Sequence, residues 1–362
     1  MIRCAIVGAG TVVEDLHLSA LRGLPGVELA ALCEMDRRRA REFQDRSGIP
    51  RAYSSLEGLL AADRGIDFVD IATPAHTHYD LTKQALEAGL HVLVEKPLAL
   101  SARQGSELDL LARGRARKLC VLQTYRYRTP MLQASELLQA GVLGTLTKMS
   151  ITCRVDGDPF VERRGWDWAE KQTMLLLYEL AVHYVDLAVQ YGGPLATILG
   201  FHATTEPGSG RVTAISALLE HASGLLTDLD FTVLASSRFI RIELFGSRRD
   251  VSIKLFPEGF VSRSGTVDPI KEIRTELRRT SRYVSQTVLD KVGKGQPKRR
   301  AQSHFRVMAG FVEALEHPEL EPPVTAASVA PTLAALDALH ARLREPDLAA
   351  DDERLALAGA AD

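Results

Sequence analysis

The chain is poor in cysteine and tryptophan, with four and two, holds only 6% aromatic residues, and has no prevailing charge: 44 Lys and Arg face 46 Asp and Glu. Each shortage excludes something. Cys4, Cys33, Cys120 and Cys153 are scattered without paired spacing, which argues against a disulfide framework and against a zinc cage, since metal sites need clustered ligands. No metal is expected. A net charge of -2 and a pI near 6.6 give no general pull toward nucleic acid or a membrane surface. Nor is any uninterrupted apolar run long enough to span a bilayer, and no signal-peptide layout opens the chain, so a cytoplasmic protein is expected.

What is present is 362 residues, 46% apolar and 25% charged, the mix of a soluble globular protein with room for two domains. Up to residue 123 short apolar runs alternate with helical periodicity. Strands are expected at 4–7, 27–33, 51–53, 68–72, 91–94 and 119–123 with helices between them, which predicts an α/β domain over 1–124 built on a doubly wound parallel sheet. After residue 144 the pattern becomes a run of strands, at 146–155, 195–204, 212–219, 224–232 and 239–246. That run predicts an α+β domain over 125–343 with an open, mainly antiparallel sheet.

The first strand ends in Gly8-Ala9-Gly10 and opens a helix with Val13, Leu16, Ala20 and Leu21 on one face. In such a strand-turn-helix Gly8 permits the turn and Gly10 lets the backbone approach a pyrophosphate resting at the helix N-terminus, so Gly8, Gly10, Thr11 and Val12 are cofactor-binding candidates. Val13 stands where a third small residue is usual. The second strand ends at Glu34, 24 residues beyond Gly10, near the offset at which an acid holds the adenine ribose hydroxyls. A carboxylate there repels a 2′-phosphate, so NAD is expected rather than NADP. Arg37, Arg38 and Arg39 could answer such a phosphate, but at the head of the next helix they read better as a solvated face.

The stretch at 91–98, His-Val-Leu-Val-Glu-Lys-Pro-Leu, carries the sharpest signal. It leaves Lys96 at the carboxyl end of a buried parallel strand, where open α/β sheets bind ligands, and Pro97 forces Lys96 into extended backbone. A solvated lysine at a strand end is the plainer reading of those residues alone. His76 and His78, beside another strand end, read as loop histidines with backbone partners.

Together these residues resemble the glucose-fructose oxidoreductase, inositol dehydrogenase and rhizopine-catabolism (Gfo/Idh/MocA) family of sugar oxidoreductases. The resemblance rests on Gly8-Ala9-Gly10, on Ala72-Thr73-Pro74 with His78, on the block 85–97 ending Glu95-Lys96-Pro97, and on Tyr125-Arg126-Tyr127. It implies a Rossmann first domain with further cofactor contacts from Thr73, Pro74, His78, Glu95 and Lys96. In the second half one helix is expected over 172–191, where Glu179 and His183 lie a turn apart and project from one face. The family's helix carries an Asp and a His at that spacing, the His being the usual acid/base; His183 matches, Glu179 replaces the Asp, and Thr173, Met174 and Leu175 replace a glycine triplet.

The resemblance implies NAD-dependent hydride transfer at a secondary alcohol carbon of a sugar, nucleotide sugar or cyclitol. His183 takes the hydroxyl proton, Lys96 donates to the same oxygen, and Glu179 holds His183 or a neighbouring hydroxyl; Tyr125 and Arg126 line the substrate cleft. An NAD-retaining epimerase or glycosidase of the same fold, or a non-catalytic cofactor-sensing or scaffold protein, are the alternatives. A homodimer or homotetramer is implied as well. The Lys- and Arg-rich residues 268–300 read as a solvated or interface surface more readily than as a membrane contact. Helices at 303–316 and 328–343 would complete the fold, and 344–362 reads as a flexible tail.

Overall fold

The computed structural model describes residues 1–156, 176–208, 210–255, 258–264 and 299–344. The first half is a six-stranded sheet of β1 (Ile2–Val7), β2 (Val27–Cys33), β3 (Ala52–Tyr53), β4 (Phe68–Ile71), β5 (His91–Val94) and β6 (Leu119–Val121) in the order β3-β2-β1-β4-β5-β6. All pairings are parallel. The strand order reverses between β1 and β4, which puts the ligand crevice beyond their carboxyl ends. Helices cover both faces, so the strands are apolar runs rather than alternating ones; all four residues of β4 are buried.

The crossovers are α1 (Leu18–Arg22), which continues a wide turn at Val13–His17, then α2 (Arg37–Ser47), α3 (Leu56–Ala62), α4 (His78–Glu87) and α5 (Ala102–Gly114). Asp36, Ser55 and Ser101 cap α2, α3 and α5 by accepting first-turn amides. At α5 the Gln104 side chain accepts from the Leu100 amide. On the first helix the buried residues are Val13, His17, Ala20 and Leu21, with a histidine inward where Leu16 was expected.

After α6 (Thr129–Gln139) comes a seven-stranded sheet of β7 (Leu146–Asp156), β8 (Leu195–Thr205), β9 (Val212–His221), β10 (Leu226–Ala235), β11 (Phe239–Gly246), β12 (Arg249–Leu255) and β13 (Glu258–Ser264). It is antiparallel except where β10 pairs with β7. The strands β12 and β13 extend it beyond the sequence expectation. In β12 Val251, Ile253 and Leu255 face inward while Arg249, Asp250 and Lys254 do not, so a sheet with one solvated face hides its strands among charged residues.

The inner face of this sheet, including Met149, Ile151, Cys153 and Phe231, belongs to one core with α7 (Val182–Gly192). Although they follow the second sheet in sequence, α8 (Arg299–Glu316) and α9 (Ala326–Arg344) return to the first. Val307, Met308 and Phe311 of α8 pack with Leu21 and Phe68, the two phenylalanine rings meeting edge to face at 5.3 Å, while α9 lies against α5 and α7. Val13 fits its tight place fully buried, and all four cysteines are buried and free. No helix among the described residues is long and apolar enough to cross a membrane. The expected basic surface up to residue 298, the tail from 345, and Thr173, Met174 and Leu175 lie outside the described residues.

Candidate active site

The turn after β1 is built for close approach. A Cβ on Gly8, whose φ is +104°, would stand 2.6 Å from the Ala72 carbonyl oxygen at the exit of β4, whereas one on Gly10 would meet nothing within 4 Å. Only glycine serves at the first position, and the second leaves room for a ligand backbone such as a pyrophosphate. Thr11 and Val12 open the helix there, where first-turn amides lack intrahelical acceptors. Glu34, buried just past β2, accepts from the Ala9 amide at 2.9 Å and from the Asp36 amide at 3.0 Å. These donors hold its carboxylate beside the turn. Arg37 and Arg38 are exposed and Arg38 pairs with Glu42 along the helix, the solvated face that the sequence suggested. The residues present fit a dinucleotide with a free 2′-hydroxyl.

Across the crevice, Lys96 follows β5 and is joined to Pro97 by a cis peptide. Its Nζ donates to the Glu179 carboxylate and to the Glu179 carbonyl, each at 3.0 Å. Burial works against charge on Lys96, but Glu179 and Glu95 outweigh it and hold the ammonium above the ordinary lysine value. Glu179 sits in a wide helical turn at Leu176–Ala181 that leads into α7, a feature frequent at functional sites. Its carboxylate therefore serves Lys96 and not His183, contrary to one of the two roles expected for it. The His183 ring instead stacks flat on Tyr125, with centroids 4.0 Å apart and planes 8° from parallel. Its Nδ1 is buried with no hydrogen-bond partner among the described residues. Burial first, then the Lys96 charge, push this ring well below the ordinary histidine value, so it is neutral at pH 7.

Other expected site residues stand behind the crevice wall. Thr73 and Pro74 form the turn after β4, with the Thr73 and Thr77 hydroxyls 2.7 Å apart and Thr77 Oγ1 on the Pro74 carbonyl. His78 is buried, its Nδ1 2.7 Å from the Pro97 carbonyl oxygen and its Nε2 2.8 Å from that of Thr73. It ties the two loops together, as a loop histidine with backbone partners does, while burial lowers its basicity. Arg126 was expected to line the substrate cleft. In the structure its guanidinium grips Asp186 through Nε at 2.7 Å and Nη2 at 2.6 Å and also reaches the Ser328 carbonyl. It is a strut between α7 and α9, whereas the neighbouring Tyr125 ring is the one that meets His183.

Beneath Lys96 lies a set of charges of which the sequence marked only Glu95. His17 Nδ1 is 2.8 Å from Asp70 and its Nε2 is 3.0 Å from Glu95, with His304 of α8 3.6 Å from the same Glu95 oxygen. The signal was there: Asp70 interrupts an apolar, fully buried strand, and a carboxylate in that position demands a partner. His17, Glu95 and His304 bring three ligand-type atoms within 4.8 Å of one another. With both His17 nitrogens turned on carboxylates, the set is an ion-pair network rather than a metal cage. Burial opposes charge on His17, but Asp70 and Glu95 overcome it and raise the ring to about 10.

A family profile described as "Oxidoreductase family, NAD-binding Rossmann fold" matches residues 2–123, and one described as "GFO/IDH/MocA C-terminal domain" matches residues 131–252. The uncharacterized oxidoreductase YdgJ of Escherichia coli (strain K12) is 31% identical over 251 residues, 68% of this chain and 69% of YdgJ. A D-apiose dehydrogenase of Paraburkholderia graminis is 26% identical over 226 residues, 62% of this chain but only 59% of that enzyme. Among solved structures, an oxidoreductase from Agrobacterium radiobacter in complex with NAD+, L-tartaric acid and magnesium shares the fold, with a TM-score of 0.76 at 19% identity over 96% of this chain and 97% of that one. The WlbA dehydrogenase from Bordetella pertussis, in complex with NADH and UDP-GlcNAcA, superposes equally well, with a TM-score of 0.76 at 19% identity over 96% of each chain. Sequence and architecture agree: the chain belongs to the Gfo/Idh/MocA family of NAD-binding oxidoreductases.

Proposed function

We propose that this chain is an NAD-dependent dehydrogenase acting on a secondary alcohol carbon of a sugar, nucleotide sugar or cyclitol. The observation that carries this reading is the meeting of a cationic donor with an imidazole: Lys96 Nζ bonds Glu179, one helical turn before His183, whose Nδ1 is buried with no hydrogen-bond partner among the described residues. An ammonium has three N–H donors. Two are taken by Glu179, which leaves the third for a substrate oxygen. When bound, NAD supplies the hydride chemistry. In the oxidation direction a ring nitrogen of His183 accepts the hydroxyl proton, and Lys96 stabilises the negative charge that grows on that oxygen. Glu179 anchors the ammonium and Tyr125 holds the imidazole plane by stacking.

A relative named as a D-apiose dehydrogenase and a neighbour holding a nucleotide sugar support this class of substrate. Four buried free thiols suit a reducing cytoplasm. Leu199 and Leu218, exposed on the second sheet, suit a homodimer or homotetramer formed through that sheet. The test is a titration with NADH and, in parallel, NADPH, followed by nicotinamide fluorescence. NADH should bind about tenfold or more tightly than NADPH, since a mispaired buried polar group costs at least that, and Glu34→Gln should narrow the gap. Binding of neither dinucleotide would overturn the proposal; binding of NADH would justify a turnover screen of sugars, nucleotide sugars and cyclitols.

A further inference from the structure

While Glu179 holds the Lys96 ammonium, Glu95 holds the Lys96 backbone amide, and Glu95 in turn meets a residue distant in sequence. Glu95 Oε2 accepts from the Lys96 amide at 3.1 Å, while Oε1 faces His17 Nε2 at 3.0 Å. Asp70 holds the far nitrogen of His17 at 2.8 Å, so the ring cannot turn without losing both partners. The chain runs Asp70, His17, Glu95, Lys96 amide, from the middle of the first sheet to the donor that faces substrate. Three separate elements meet there: β4 supplies Asp70, the wide turn before α1 supplies His17, and the exit of β5 supplies Glu95. From α8, His304 closes the fourth side, its ring centroid 5.6 Å from that of His17. From β1, Cys4 lies against Asp70.

We propose that His17 is a positioning residue for Lys96, clamped by Asp70 so that its Nε2 turns the Glu95 carboxylate under the Lys96 amide. An ionised carboxylate only accepts hydrogen bonds, so a ring between two of them carries a proton on each nitrogen. That imidazolium neutralises one of two buried carboxylates, which would otherwise repel each other beneath the nicotinamide crevice. The effect on catalysis rests on the dehydrogenase reading. The clamp itself does not.

The test separates the two nitrogens. A Gln amide reaches to where Nε2 lies and can still donate to Glu95; an Asn amide reaches only to Nδ1 and serves Asp70 alone. His17→Gln should keep kcat within about tenfold, whereas His17→Asn should lose about a hundredfold, the scale of a reacting group misplaced by about an ångström. In both variants KM and NADH affinity should stay within roughly threefold, since His17 is fully buried and a shifted donor weakens its hold on the developing oxyanion more than on bound substrate. Glu95→Gln added to His17→Asn should cost little more than either change alone, because the two residues act as one unit.

Hydrogen exchange at the Lys96 amide reads the clamp without turnover: it should quicken in His17→Asn and stay slow in His17→Gln. If a wild-type protein with protected Lys96 turned over no substrate, the dehydrogenase reading would fail while the clamp stood. Equal kcat in folded His17→Asn and wild type, equal losses in Asn and Gln, or unchanged Lys96 exchange in Asn would each overturn the clamp.

Discussion

The His17 network makes the stability of this protein depend on pH in a window where most proteins are indifferent. A histidine titrates at 6.5 in the unfolded chain and at about 10 here, so the folded state keeps a proton that the unfolded state releases. The contribution is therefore complete below about pH 6.5 and is lost as pH rises toward 10. From pH 7 to pH 9 one proton's linkage removes roughly 2 to 3 kcal/mol, or roughly 3 to 4 °C in Tm for a chain of this size. Cysteine contributes with the same sign, because burial pushes the Cys33, Cys120 and Cys153 thiols up to about 12. A comparison protein must therefore keep its thiols. His17→Gln with Asp70→Asn removes both charges of the deep pair and leaves Cys33, Cys120 and Cys153, none of which is shifted by Asp70, in place, so their share cancels in the difference. Denaturant unfolding of both proteins at pH 7, 8 and 9 should show the wild type losing stability faster by that amount. Parallel lines would refute the assignment of a retained proton to His17.

Three other outcomes follow from the site. Lys96→Met should lower kcat by about a hundredfold to a thousandfold, the usual loss for a donor to a developing oxyanion, and unchanged turnover would remove Lys96 from the mechanism. In alcohol oxidation the acid limb of kcat/KM should fall below pH 6.5, because His183 loses its base form only when pH drops through its depressed value; a limb at or above 6.5 would contradict the neutral ring. Arg126→Met should cost about 3–5 kcal/mol of stability by stranding the buried Asp186, while a folded variant keeps KM within about threefold; a large KM increase would return Arg126 to the substrate cleft.

Much of the site was legible in local patterns because local chemistry demands it. The turn at Gly8, the acid at Glu34, and the strand that ends in Glu95-Lys96-Pro97 are each written within a few consecutive residues. Spacing along a helix was a weaker guide. Glu179 and His183 lie one turn apart as expected, yet the carboxylate bonds Lys96 and the imidazole stacks on Tyr125, since each side chain turns to what faces it rather than to its helix neighbour. Strand β12 was missed because Val251, Ile253 and Leu255 are set among charged residues, and β13, with Glu258, Gly259, Ser262, Arg263 and Ser264, has little apolar signal.

By itself, then, the sequence determined the alternation that makes a parallel sheet, the glycine turn, the carboxylate that ends the second strand, and the placing of a lysine at a strand end, all properties that depend on neighbours within a few positions. Only the tertiary structure decided which distant groups meet. It joined His17 to Asp70 and Glu95, Arg126 to Asp186, and α8 to the first sheet. Buried charges find partners wherever the fold brings them, since an unpaired one is too costly to keep, and that choice is settled by packing and leaves no period in the sequence.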